Sequence, residues 1–179
     1  MPTLMFNYVG SINGQGRKLR KVQCTASQDI AVGDAIQFST TAGTVIPAVA
    51  DEEIAGIVAG FVDKYGNAQP ETTVTAGTAA STVKTSDSST ATSDYLLVDV
   101  NPGSLYSASL DADVGTTTGS NKAGVWFVLA DEDDLDESSV INSYDTTGTM
   151  VHAYSHGLDP RNSARVIVNF VMAPYVPFV

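Results

Sequence analysis

Side chains along most of this chain alternate between apolar and polar. In "SARVIVNFVMA" the even positions are Val166, Val168, Phe170 and Met172, and the odd positions include Arg165 and Asn169. A period of two sends alternate residues to opposite faces, so this segment predicts a half-buried strand. "QDIAVGDAIQFS" places Ile30, Val32, Ile36 and Phe38 around Gly33-Asp34, which predicts a hairpin or bulge. "DYLLVDVNPGSLYSASL" sets two β-rich runs on either side of Asn101-Pro102-Gly103, and Pro followed by Gly is turn chemistry. "VIPAVA", "IAGIVAGFVD", "VWFVLA" and "TMVHAYS" are further strand candidates. Val125 to Ala130 is apolar on both faces, which predicts a central strand.

Helical signals are sparse. Asp51-Glu52-Glu53 could start a short helical turn, since acids favour a helix N-terminus. Gly56, Gly60 and the β-branched residues that follow favour a strand instead. Many short strands with turn signals between them predict an all-β fold, a β-sandwich or β-barrel with long polar loops and little helix. No internal repeat is visible. Residues 1–27 read as an N-terminal arm with the first strands, and 28–179 as a β-rich body. Within that body, residues 72–93 are dominated by Ser, Thr and Ala and lack bulky apolar side chains. They bury little area and read as a loop, a linker, or an arm ordered by a neighbour.

Composition agrees with strands. The 179 residues are 43% hydrophobic and only 16% charged, which suits outer faces built from Thr and Ser. The formal net charge of -11 repels a phosphate backbone, so no nucleic-acid partner is expected. Arg17, Lys18, Arg20 and Lys21 are the local exception, holding four of the nine basic residues in five positions. A basic segment on an acidic body is a candidate contact with an acidic protein surface; the plainer reading is a solvated turn. No membrane partner is expected: "MPTLMFNYVG" lacks the basic start and long apolar stretch of a secretory signal, and the apolar C-terminal tract is cut by Arg165, Asn169 and prolines. Cys24 is the single cysteine, so no intrachain disulfide forms. Val22, Cys24 and Ala26 alternate with polar neighbours, which places the thiol in a core.

The most conspicuous candidate chemistry is "ADEDDLDE", with six carboxylates in the seven positions 131 to 137. An EF-hand wants acid at its fifth position and Gly at its sixth, but Leu135 and Asp136 stand there. A calcium site of another kind stays open. The plainer reading is a wet strand end whose charge repels edge pairing. His152 and His156 have the spacing of a helical metal pair, yet their neighbours read as strand. Residues four apart on a strand lie roughly 13 Å apart, too far to share a zinc whose bonds are about 2 Å. Structural or surface roles are expected, and no metal or other cofactor. Ser155, His156 and Asp159 do not form a triad, because adjacent strand residues face opposite ways and the nucleophile elbow is absent. Asp159 and Arg161 are expected to pair locally, in a donor-rich loop that is also a candidate contact. "GSINGQGRK" lacks the Lys-Ser/Thr of a phosphate loop and reads as a flexible basic loop.

"VGDAIQFSTTAGTVIPAVADEEIAGIVAGFVDKYGN" resembles the segment of small head-decoration (cement) proteins of tailed bacteriophages in which a strand pair leads into a glycine-punctuated strand. "YLLVDVNPGSLYSASLDAD" is similar to phage structural proteins that have a strand, an Asp/Asn-Pro turn and an aromatic-bearing strand. The resemblance covers residues 28 to 130. It implies a non-enzymatic virion protein on the capsid exterior that binds the major capsid protein, commonly as a trimer, and stiffens the shell. It carries over no catalytic residue. Arg17, Lys18, Arg20, Lys21 and Arg161 are then the candidate partner contacts, and the tail "APYVPFV" is a second candidate for reaching across subunits. The competing function is a carbohydrate- or surface-binding β-sandwich module. That module needs an exposed aromatic platform, whereas Trp126, the only Trp, is expected in the core.

Overall fold

A computed structural model describes residues 6–25, 28–40, 43–50, 52–62, 65–69, 84–85, 95–110, 123–141 and 152–172. These residues form strands, turns and bridges with no helix, so the chain is all-β. Strands are numbered in chain order.

One set of strands closes on itself. β4 (Ala35–Phe38), β5 (Thr44–Pro47), β2 (Leu19–Cys24), β9 (Tyr95–Asp99) and β6 (Ile54–Val62) are hydrogen-bonded in that order, and β6 pairs back with β4. The result is a five-stranded barrel, which leaves none of these strands as an open edge. β2 and β5 run parallel; the other pairs are antiparallel. β7 (Ala68–Gln69) extends the far end of β6. Inside the barrel lie Cys24, Ile30, Ile36, Val45, Ala55, Val58, Phe61, Leu96 and Val98. The alternation in "KVQCTA" does put Cys24 in a core. Gly56 marks the closest approach of β6 to β9. A Cβ there would collide with Val98 Cγ1 and lie 2.6 Å from Asp99 O.

The second sheet has the order β1 (Asn7–Ser11), β10 (Ser104–Ser109), β14 (Asn162–Phe170), β13 (Ala153–Asp159), β11 (Trp126–Leu129), β12 (Leu135–Ile141). A bridge from Leu110 to Leu135 curls its ends together. As the alternation predicts, Val166, Val168 and Phe170 are fully buried while Arg165 and Asn169 face outward. They pack with Phe6, Tyr106, Ala108, Phe127, Leu129 and Leu135 against one half of the barrel's outer wall, at Ala35, Ala48, Ile54 and Ile57. β11 lies between β12 and β13, paired on both sides, but it is next to the end of the sheet rather than at the centre expected of it.

Two further details differ from the sequence reading. Gly33-Asp34 does not join a hairpin: β3 (Asp29–Ile30) pairs with β8 (Lys84–Thr85), while β4 gives both of its edges to β5 and β6. Barrel closure outcompetes the local pairing. Gly33 adopts φ 102°, a left-handed value that suits glycine, and Asp34 Oδ2 accepts from Ala31 N at 2.6 Å to hold the turn. The Asn101-Pro102-Gly103 turn does join two strands, β9 and β10, as expected, and carries the chain from the barrel to the other sheet. "GQGRK" is not a free loop. Gly16 N donates to Ser11 Oγ and Asn101 Nδ2 donates to Gly16 O at 2.6 Å, after which the chain enters β2. Of the 72–93 segment only β8 lies within the described residues, and the tail from 173 onward lies outside them.

Candidate functional site

The basic run sits where barrel and sheet meet, and a buried carboxylate anchors it. Asp99 ends β9 with no exposed surface. Its Oδ1 accepts from Lys18 N and Asn101 N, both at 3.0 Å, and its Oδ2 accepts from Ser104 Oγ and Tyr106 Oη, both at 2.6 Å. Four donors compensate the loss of water around the charge. Burial, then the bond to Asp99, pushes the Tyr106 phenol far above its ordinary range, so it remains a donor. Tyr106 continues into an aromatic series. Its ring meets Phe170 at 5.6 Å and Tyr8 at 5.8 Å, and Arg17 lies over Tyr8 at 4.3 Å. The series runs from the core to an exposed cation.

Strand geometry then divides the basic run. Arg20 shares the face of Val22 and Cys24 and stands on the interior side of the barrel wall, exposed at its mouth. Leu19 and Lys21 share the opposite, outer face, where Leu19 pairs with Asp99 and Lys21 with Leu97 of β9, Tyr95 standing next along the strand. Lys21 Nζ lies 4.8 Å from the centre of the Tyr95 ring. Leu19 is 46% exposed, and Gly60, which pairs with Leu97 on β6, leaves open space where a side chain would stand. The β2–β9 wall therefore presents leucines, a tyrosine and a cation side by side. Sheet packing covers the β4–β6 side of the barrel and the Asp99 end of β9.

Arg161 does not join this surface. β10 pairs Ser104 with Ser11 at one end and Ser109 with Arg165 at the other, so the basic run and the turn bearing Arg161 lie at opposite ends of the sheet. Arg161 makes the expected local pair, with Nε and Nη2 each 3.1 Å from the two oxygens of Asp159. That pair holds the buried Asp159 carboxyl down at about 2, helped by Ser107 and opposed by burial.

The acidic run is a hairpin turn between β11 and β12. Glu132 O accepts from Ala35 N at 2.7 Å, which docks the turn on the barrel. Asp131, Asp133 and Asp134 bring carboxylate oxygens within 4.8 Å of one another. Burial first, then the hydrogen bond to Asp131 and the charges of Asp131, Asp34 and Asp134, push the Asp133 carboxyl up to about 8. A proton thus relieves the repulsion at neutral pH. Asp136 and Glu137 lie in β12.

The histidines have separate roles. His152 is buried, and His156 is exposed with Nε2 2.8 Å from Asn169 Oδ1. Ser155 is buried and faces away from His156, as strand alternation requires. Trp126 corrects an expectation. Phe127 takes the core position, and Trp126 is half-buried on the outer face. Its ring meets Tyr154 at 4.8 Å, and Tyr154 meets His156 at 5.3 Å. A run apolar on both faces contained no alternation from which to read this. Comparison with family models, curated proteins and solved structures finds no match.

Proposed function

We propose that this protein is a non-enzymatic structural protein that binds the outer surface of a larger protein shell and stabilises it, a bacteriophage capsid being the shell its sequence texture resembles. The β2–β9 wall supports this reading. Leu19 and Lys21 are exposed together on a chain of net charge -11, on a strand that Asp99 anchors through Lys18 N. An exposed leucine beside a cation suits a partner surface that is apolar at its centre and acidic at its edge. Leu19 is 46% exposed, so burying the rest of it contributes about 1 kcal/mol, and the cations speed encounter. Because the strand is already held in place, little conformational entropy is lost on docking.

Co-sedimentation with expanded capsid shells tests the proposal. Saturable binding is expected for the wild type. The double variant Leu19→Thr, Lys21→Gln, which sets no new carboxylate opposite Asp99, is expected to lose most of it while remaining folded. A wild type that ignores the shells sinks the reading.

One observation favours a second reading, a carbohydrate-binding module. Trp126, Tyr154 and His156 form an aromatic strip on the outer face of the sheet, with Asn169 within hydrogen-bonding distance of His156. Glycan binding that disappears in Trp126→Ala would establish it.

A further inference from the structure

His152 immediately precedes β13 and is 1% exposed, and its ring joins three pieces of chain. Nδ1 lies 3.1 Å from Leu129 N on β11. A backbone nitrogen only donates, so Nδ1 carries a lone pair and no proton. Nε2 lies 2.9 Å from the carbonyl oxygen of Glu52, which only accepts, so Nε2 carries the hydrogen. Two partners with fixed roles thus define both the tautomer and the charge of the ring, which is neutral. The residue's own backbone is held as well. His152 N donates to Phe127 O at 2.9 Å and Val171 N donates to His152 O at 2.8 Å. Glu52 belongs to the turn before β6, where Glu52 N donates to Val49 O and Val49 N donates to Gln37 Oε1 on β4. The ring is therefore a strut between the open sheet and the barrel, beside the Ile54–Met172 bridge.

We infer that His152 is an acid-sensitive lock between sheet and barrel. A proton arriving at Nδ1 would set two N–H groups against each other at 3.1 Å. The ring has to turn away, which leaves the Leu129 N–H buried without its acceptor and carries Nε2 off the Glu52 carbonyl. In the unfolded chain nothing opposes the proton, and an imidazole accepts it as pH falls through about 6.5. The unfolded or opened form then binds more protons than the closed one, so stability is lost as pH falls. One proton corresponds to an opening constant that rises about tenfold per pH unit below about 6.

Among the described residues, charged groups on the neighbouring elements include Glu52 and Glu53, both exposed, the Asp131–Asp134 turn that follows Leu129, and Asp34 beside that turn. Arg165 lies toward the other end of β14. Asp133 works in the opposite direction. It takes its proton at about 8 in the fold against 3.8 ordinarily, so acidification across that interval favours the folded chain. The lock is therefore best read locally and in an Asp133→Asn background. It does not depend on what the β2–β9 wall binds.

Amide hydrogen exchange at Leu129, corrected for intrinsic exchange, tests the lock between pH 8 and pH 5 in Asp133→Asn. Protection is expected to fall about tenfold per unit below about pH 6. His152→Gln in the same background is expected to show no such slope, since an amide supplies an acceptor and a donor and takes up no proton. His156→Gln is expected to keep the slope. Should His152→Gln not fold, the His152 C2 proton decides in the histidine-containing protein. A neutral-form shift that changes only together with the loss of Leu129 protection supports the lock. Ordinary titration near 6.5 with Leu129 still protected overturns it, as does a slope that persists in a folded His152→Gln.

Discussion

Tyr106 donates its phenolic hydrogen to Asp99 Oδ2 at 2.6 Å, and through that bond the open sheet is fastened to the barrel. Seven residues separate the two in sequence, yet Asp99 ends a barrel strand and Tyr106 lies in the other sheet. Lys18 N, Asn101 N and Ser104 Oγ complete the set. Tyr106→Phe keeps the ring contacts with Phe170 and Tyr8 and removes one donor from a buried acceptor. A loss of about 1.5–3 kcal/mol is expected, measured as a lower denaturant midpoint with unchanged m-value.

Gly56→Ala is expected to be among the most damaging small substitutions in the barrel. The new methyl meets Val98 Cγ1 and the Asp99 carbonyl oxygen, and backbone cannot yield as a flexible side chain does. Overpacking of this kind costs about 1–3 kcal/mol. Gly60→Ala, with nothing nearby, serves as the comparison and is expected to change thermal stability little.

Asp133→Asn is expected to stabilise the protein in alkali. The folded carboxyl is raised to about 8 from 3.8, so the folded chain binds the extra proton between those values. Stability from this group is present below about pH 4 and is lost as pH rises through 8. The variant and the wild type should unfold alike near pH 4 and diverge progressively above it, the variant being more stable. Thermal unfolding across pH 4 to 9 measures this, and a variant that unfolds earlier at pH 9 contradicts the account.

Asp159 has the opposite sign. Its folded carboxyl is lowered to about 2 by Arg161, so its contribution is present above about pH 4 and is lost as pH falls toward 2. A carboxyl-carbon titration by NMR should find Asp159 ionised at pH 3. In Arg161→Ala its midpoint should move up toward the ordinary range.

Alternation along single strands was enough to identify the β class and much of the interior. Val166, Val168 and Phe170 are buried as their spacing requires, and so is Cys24. The Asp159–Arg161 pair was legible for the same reason, since its partners are two residues apart. These features depend on near neighbours in the chain. The anchoring of the basic run was not legible, because Asp99 meets Lys18 N across 81 residues and only barrel closure brings β2 beside β9. Closure also took β4 away from the local hairpin expected at Gly33-Asp34, since a strand has two edges and β5 and β6 occupy both. Trp126 and Phe127 are chemically alike, so only the packing of the sheet on the barrel chose which ring went inside. His152 could be read as structural, but its tautomer came from Leu129 and Glu52, partners 23 and 100 residues away. Local periodicity sets which way a side chain points; the closed topology decides what it meets there.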